Sequence, residues 1–244
     1  MLLRRLTAEF LGTAGLLCTV VGSGALMHKL DAGNVAVTVF GVAVATGLVL
    51  YALIEMLGSL SAHFNPVVTL VNALQKNIKW SAVIPFFTAQ ILGAITGVVL
   101  ANLMFEHAPI AISETARTGT GQWLGEIIAT FGLIGVITGC SRFKPAVVPQ
   151  AVSAYVAGAI MFTSSTCFAN PAVTISRMFT TTITGIRPAD VPVFIVCEVL
   201  TGILAMFVFG WLCREETSKT NAADIDIPVR PAVSTPEKEL VATR

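Results

Sequence analysis

Charge is what this sequence has least of. Asp, Glu, Lys and Arg make up only 12% of its 244 residues, against roughly 25% in an ordinary soluble domain. With 15 Lys and Arg set against 14 Asp and Glu, the net charge is +1, so no extended field of one sign exists to recruit nucleic acid. There are three histidines, and none has Cys or carboxylate partners at ligand spacing, so no metal and no cofactor is expected. The five cysteines, Cys18, Cys140, Cys167, Cys197 and Cys213, lie in or beside apolar stretches. Their spacing builds neither a disulfide framework nor a metal site, and they are read as free thiols.

What is abundant is apolar surface, with 55% of residues hydrophobic. Six stretches are long and apolar enough for the roughly 20 residues a membrane-spanning helix needs: about 6 to 27, 35 to 57, 82 to 104, 122 to 141, 146 to 164 and 191 to 212. They nearly fill the chain and leave no room for a soluble catalytic domain. The first is too long, and too weakly followed by a small-residue cleavage site, to read as a removable signal peptide. An N-terminus on the inside puts Arg4, Arg5, Lys76, Lys79, Arg142, Lys144, Arg214 and Lys219 on one face and Lys29, Arg117, Arg177 and Arg187 on the other. The positive-inside rule then places both termini in the cytoplasm. Residues 214–244 are polar and without apolar period, which predicts a disordered cytoplasmic tail.

The sequence also repeats itself. "AEFLGTAGLL" (Ala8 to Leu17) aligns without gaps to "GEIIATFGLI" (Gly125 to Ile134), pairing Glu9 with Glu126. Later in each half comes Asn-Pro-small-Val-Thr or its near copy: Asn65-Pro66-Val67 and Asn170-Pro171-Ala172. Three spans separate the two starts, so the halves, about 1–104 and 119–213, enter the membrane from opposite faces as an inverted repeat. Such repeats place function at the bilayer midplane.

Asn is a favoured N-cap and Pro a favoured first helical residue, so each motif reads as a helix start. About ten residues separate each start from the polar breaks near Lys76 and Thr182, enough at 1.5 Å per residue for about half of a 30 Å hydrocarbon core. Two half-helices meeting N-terminus to N-terminus present partial positive charge and free N–H donors, and the Asn amides add more. That junction repels cations and accepts neutral hydroxylated molecules.

These features together resemble the major intrinsic protein family, the aquaporins and aquaglyceroporins, over residues 1 to about 213. The resemblance implies an all-α membrane protein of six transmembrane helices plus two re-entrant half-helices, a homotetramer in the lipid bilayer with one pore per subunit, and no enzymatic activity. The family's selectivity filter normally has Arg three residues after the second Asn; here that position is Val173. Carried over in the same way, the other filter positions are Thr46, Gly158 and Cys167, with Ala159 as the alternative if the fifth span slips by one. All are small, which implies a wide, weakly polar filter. The stretch "FTSSTCFANPAVTISR" is similar to a bacterial branch associated with arsenic resistance, implying passage of water, glycerol-like polyols and uncharged metalloid acids such as arsenous acid or methylated arsenicals across a bacterial inner membrane.

Glu9 and Glu126 are costly inside a membrane unless paired, and by resemblance they accept hydrogen bonds from the re-entrant loops. His63 reads as a hydrogen-bonded pore-lining histidine. Arg177, four residues beyond Val173, lies one turn along the same face, either in the outer vestibule or facing outward as a structural residue. Glu55 faces the vestibule or the interface, and the sequence leaves both open. Pore water is expected to help the Cys167 thiol ionise. The alternatives are a water-selective aquaporin, an ion-coupled secondary transporter, which would need a coupling-ion site, and an intramembrane enzyme using His63 with Glu55, which would need a nucleophile or metal set.

Overall fold

The computed structural model describes residues 1–214, so all but the first residue of the expected tail lies outside the described residues. Eight α-helices form among the described residues: α1 (Leu2–Leu30), α2 (Val35–Leu57), α3 (Pro66–Leu74), α4 (Val83–Met104), α5 (Thr120–Phe143), α6 (Val148–Phe162), α7 (Pro171–Ser176) and α8 (Val191–Leu212). Six of them, with short 3-10 turns leading into three, are long and apolar enough to cross a membrane. Their bounds match the expected spans within a few residues. The other two, α3 and α7, are the expected half-helices.

The second half-helix is shorter than expected. It stops at Ser176 and tightens into a 3-10 turn, Arg177–Phe179. Beyond it Thr180, Thr182 and Thr184 bond to one another through their hydroxyls rather than continuing a helix, as β-branched residues with a local hydrogen-bonding alternative tend to do.

Within each half the long helices pack in the same order. Helix α1 lies against α2 and α4, and α5 lies against α6 and α8. The α1–α4 crossing is close: a Cβ on Gly93 would stand 2.3 Å from the Phe10 carbonyl oxygen and one on Gly97 2.2 Å from that of Ala14. Only glycine permits that approach, and small residues at crossings are the usual solution where lipid supplies no hydrophobic drive. The halves join through α2 against α6, and both half-helices contact α4 and α8. Large apolar side chains such as Phe40, Leu48, Ile84, Leu92, Leu204 and Phe207 face outward, as a lipid-facing surface requires.

Candidate pore

Each half-helix begins at its Asn-Pro pair. Asn65 and Asn170 have extended backbones and cap α3 and α7, their Oδ1 atoms accepting from Val67 N at 2.8 Å and Ala172 N at 3.0 Å. With the oxygen fixed, the NH2 groups point across the junction. Asn65 Nδ2 donates to the Ala169 carbonyl at 2.7 Å, and Asn170 Nδ2 donates to the Phe64 carbonyl at 2.8 Å. Each amide has two N–H donors, so one locks the opposite loop and one is left for a passing oxygen.

The loops before the caps hold conformations that side chains rarely adopt. Phe64, Thr166, Cys167 and Ala169 all have φ between 46° and 60°. Such strain persists where surrounding contacts over-determine it, and here two buried carboxyls do so. Glu9 Oε1 accepts from Ser61 Oγ at 2.5 Å and His63 N at 2.9 Å; Oε2 accepts from Phe64 N at 2.7 Å and Gln90 Nε2 at 2.7 Å. Glu126 accepts from Phe168 N at 2.9 Å and Ala169 N at 2.7 Å. His63 is fixed by its Nδ1 contact to Thr69 Oγ1 at 3.0 Å and by packing on the Phe86 ring, 5.5 Å between centroids.

A cavity of about 620 Å³ runs past this junction, lined at one end by Arg5, His63 and Asn72, at the middle by Asn65 and Asn170, and at the other end by Arg117, Arg177 and Thr184. Thr46, Cys167 and Val173 line it; Gly158 and Ala159 do not. The α6 row that does is Val148, Val152, Val156 and Ile160, spaced four apart as one helix face must be. Gly158 stands two residues from both Val156 and Ile160, about 200° round the helix, and so points the other way. Ala159 is fully buried. On α6 the cavity is therefore lined by branched aliphatic side chains and not by the glycine or alanine reached by counting back from the second motif. Glu55 is exposed and outside the cavity. Cys167 is only 8% exposed, so the pore solvates its sulfur less than expected.

Arg177 lines the cavity and is 4% exposed. Its Nε donates to the Thr184 carbonyl, and its guanidinium lies 3.6 Å from the Phe168 ring centroid. A second arginine, which in the sequence is only one of the outer charges, joins it. The segment 105–119 is pinned over the second half through Ser113 N to the Met178 carbonyl at 2.8 Å and Arg187 N to the Thr115 carbonyl at 2.8 Å. This brings Arg117 to the mouth, where Nε and NH2 bind the Gly185 and Ile183 carbonyls at 2.7 and 3.1 Å, with the guanidinium 4.9 Å from Phe168. Desolvation lowers Arg117 to about 10, which leaves it charged at neutral pH. Among the described residues, no three His, Cys, Asp or Glu side chains converge as metal ligands.

The sequence profile of the Major intrinsic protein family matches residues 1–167. The chain belongs to the major intrinsic protein family. Over 214 residues it is 44% identical to the aquaglyceroporin AqpS of Rhizobium meliloti (strain 1021), covering 87% of this chain and 91% of that one. It is 34% identical over 141 residues to the probable aquaporin NIP4-2 of Arabidopsis thaliana, covering 57% and 49%. Among solved structures it is similar to the aquaglyceroporin from Plasmodium falciparum, with a TM-score of 0.63, 19% identity, and coverage of 87% of this chain and 95% of that one. At that identity the likeness concerns the fold. Members of the major intrinsic protein family are passive channels, so this chain is a channel for water and small solutes and not an enzyme.

Proposed function

We propose that the channel is an aquaglyceroporin whose outer constriction is formed by Thr46, Ile160, Cys167 and Val173, passing water, glycerol-like polyols and uncharged metalloid acids such as arsenous acid. One observation carries this: where the family resemblance implies a filter arginine the chain has Val173, which lines the cavity as a short aliphatic side chain. A wall of Thr, Ile, Cys and Val accepts the carbon backbone of a polyol, while the Asn65 and Asn170 amides and the loop carbonyls take its hydroxyls.

Charge exclusion is then divided between two places. The facing N-termini of α3 and α7 disfavour cations at the junction, and Arg117 and Arg177 keep positive charge at the mouth without narrowing the constriction. The reading extends to a homotetramer in a bacterial inner membrane with both termini cytoplasmic, supported by the Lys and Arg distribution and by the bacterial relative. A water-selective channel would need a narrower filter than these four side chains build.

Swelling of proteoliposomes under gradients of water, glycerol, urea and arsenous acid tests the proposal. Glycerol and arsenous acid flux well above that of empty liposomes is the expected outcome. Fast water flux with glycerol at background would overturn it.

A further inference from the structure

The cavity carries charge of one sign. Arg5, His63, Arg117 and Arg177 line it, and among the described residues no Asp or Glu does. The carboxyls closest to these groups are occupied elsewhere: Glu9 and Glu126 take loop N–H groups, and Asp190 takes the Arg187 side chain and the Arg117 backbone N–H.

The two outer arginines differ in how many of their donors the protein uses. In Arg117 every side-chain nitrogen binds a carbonyl: Nε that of Gly185 at 2.7 Å, Nη2 that of Ile183 at 3.1 Å and Nη1 that of Ser165 at 3.3 Å. Arg177, only 4% exposed, uses Nε alone, on the Thr184 carbonyl. Among the described residues, no protein acceptor takes a hydrogen bond from either of its terminal amino groups. Four of the five N–H donors of a guanidinium are thus unspent on a side chain that lines the cavity. Buried donors without partners are costly, so their acceptors must come from the cavity. The fork is also held in place. The Arg177 backbone N donates to the Val173 carbonyl, its own carbonyl accepts from Ile186 N at 3.2 Å, and its guanidinium rests on the Phe168 ring.

A fixed, charged fork with a stacked face suits two oxygens of one anion taken side by side. A polyol hydroxyl meets it one oxygen at a time and brings no charge. We propose that the free fork of Arg177 is a docking site for small monovalent oxyanions, such as a carboxylate or a sulfonate, which occupy the outer mouth and block solute passage. The anion docks rather than passes, because the next turn of the same face is Val173, which offers no donor to a charge losing its water. The block rests on the reading of the cavity as the solute path; the docking itself does not.

Glycerol swelling of proteoliposomes carrying the full chain provides the test, with potassium methanesulfonate on both sides of the membrane and potassium chloride at the same ionic strength as the comparison. Methanesulfonate is an anion at every working pH and presents three oxygens, whereas chloride screens charge without matching a fork. Methanesulfonate should halve glycerol flux at roughly millimolar concentration, the scale of two charge-assisted hydrogen bonds. It should also raise the unfolding temperature in detergent above that in chloride, as a ligand of the folded state does. Arg177→Lys keeps the charge and a donor for Thr184 but loses the fork, and should need about tenfold more methanesulfonate for both effects. Arg177→Gln should show neither. Equal responses of the wild type to the two salts would mean that the fork meets pore water only, and would overturn the proposal. So would responses of one size in all three proteins, or swelling driven by a potassium methanesulfonate gradient with valinomycin present, which requires the anion itself to cross. A temperature shift that follows Arg177 without any block of flux would support the docking site and count against the cavity as the solute path.

Discussion

The two halves solve one problem with different chemistry. Each must hold a strained loop before an Asn-Pro cap, and each does so with a glutamate from its first helix. In the first half Glu9 takes two backbone N–H groups, a serine hydroxyl and the Gln90 amide. In the second, Glu126 takes two backbone N–H groups, and the place of Gln90 is held by an acid, Glu198, which accepts from Thr174 Oγ1 at 2.6 Å. Aromatic packing follows the same correspondence: His63 lies on Phe86 and Phe168 on Phe194, with centroids 5.5 and 5.3 Å apart. Arg5 sits over Phe86, whereas Arg117 and Arg177 both sit over Phe168. What the repeat preserves is the position of each support; what it varies is charge, and the second half places two arginines, Arg117 and Arg177, along the cavity.

The largest effect should come from removing the acids themselves. Glu9→Ala strands four donors and should destabilise the protein by about 3–5 kcal/mol, the range for breaking a buried charged network. Glu126→Ala strands two backbone donors rather than four donors, so its cost should be roughly half as large. Apparent unfolding temperatures in detergent give the ranking, and equal losses would break the comparison between the halves.

Next in size is the filter. Val173→Arg should reduce glycerol and arsenous acid flux by tenfold or more, on the order of 1.4 kcal/mol of added barrier, with water flux changed much less. If all three fall together, the size reading of the constriction fails. Ile160→Ala should raise flux of solutes larger than glycerol, while Gly158→Ala should leave it unchanged because that position faces away from the cavity. The reverse pattern in the same swelling assay would restore Gly158 to the filter.

Cys167 offers a smaller, slower effect. A mercurial should block flux because the sulfur lines the cavity, but slowly because it is 8% exposed. Excess thiol should reverse the block, and Cys167→Ser should abolish it. Block that persists undiminished in Cys167→Ser would place the reactive thiol at another cysteine.

The smallest concerns the turns between the first two helices of each half. Asp31 accepts from Thr38 Oγ1 at 2.6 Å, Gly33 N at 2.8 Å and His28 at 3.0 Å, and the Thr38 bond foremost holds its carboxyl below the usual range. The corresponding turn, Pro145–Val147, has no such acid. A lowered folded pKa means that the stabilisation is present above the unfolded value of about 3.9 and is lost as pH falls through the lower folded one. Unfolding temperature should therefore fall slightly more steeply with acid in the wild type than in Asp31→Asn, and parallel curves would remove the contribution.

Part of this architecture is legible in the order of amino acids alone. The lengths of the apolar runs dictate six spans, because hydrocarbon thickness and helical rise leave little choice. Asn followed by Pro dictates two helix starts, because a cap and a donor-free first residue favour nothing else, and the pairing of Glu9 with Glu126 exposes the repeat. Glu198 is a further signal of the same kind: a carboxyl inside an otherwise apolar span by its cost alone asks for a partner. Which partner, only the packing of α8 against α5 and α7 could decide. In the same way, counting residues back from Asn170 points to Gly158, whereas the rotation of α6 about its axis, set by its contacts with α2 and α5, turns Ile160 to the pore. Arg117 reaches the mouth only because its segment is hydrogen-bonded across the second half. Local spacing fixes where a helix begins and how long it runs, since those are properties of neighbouring residues; which side chains meet at a constriction depends on how distant helices settle against one another, and this the tertiary structure alone decides.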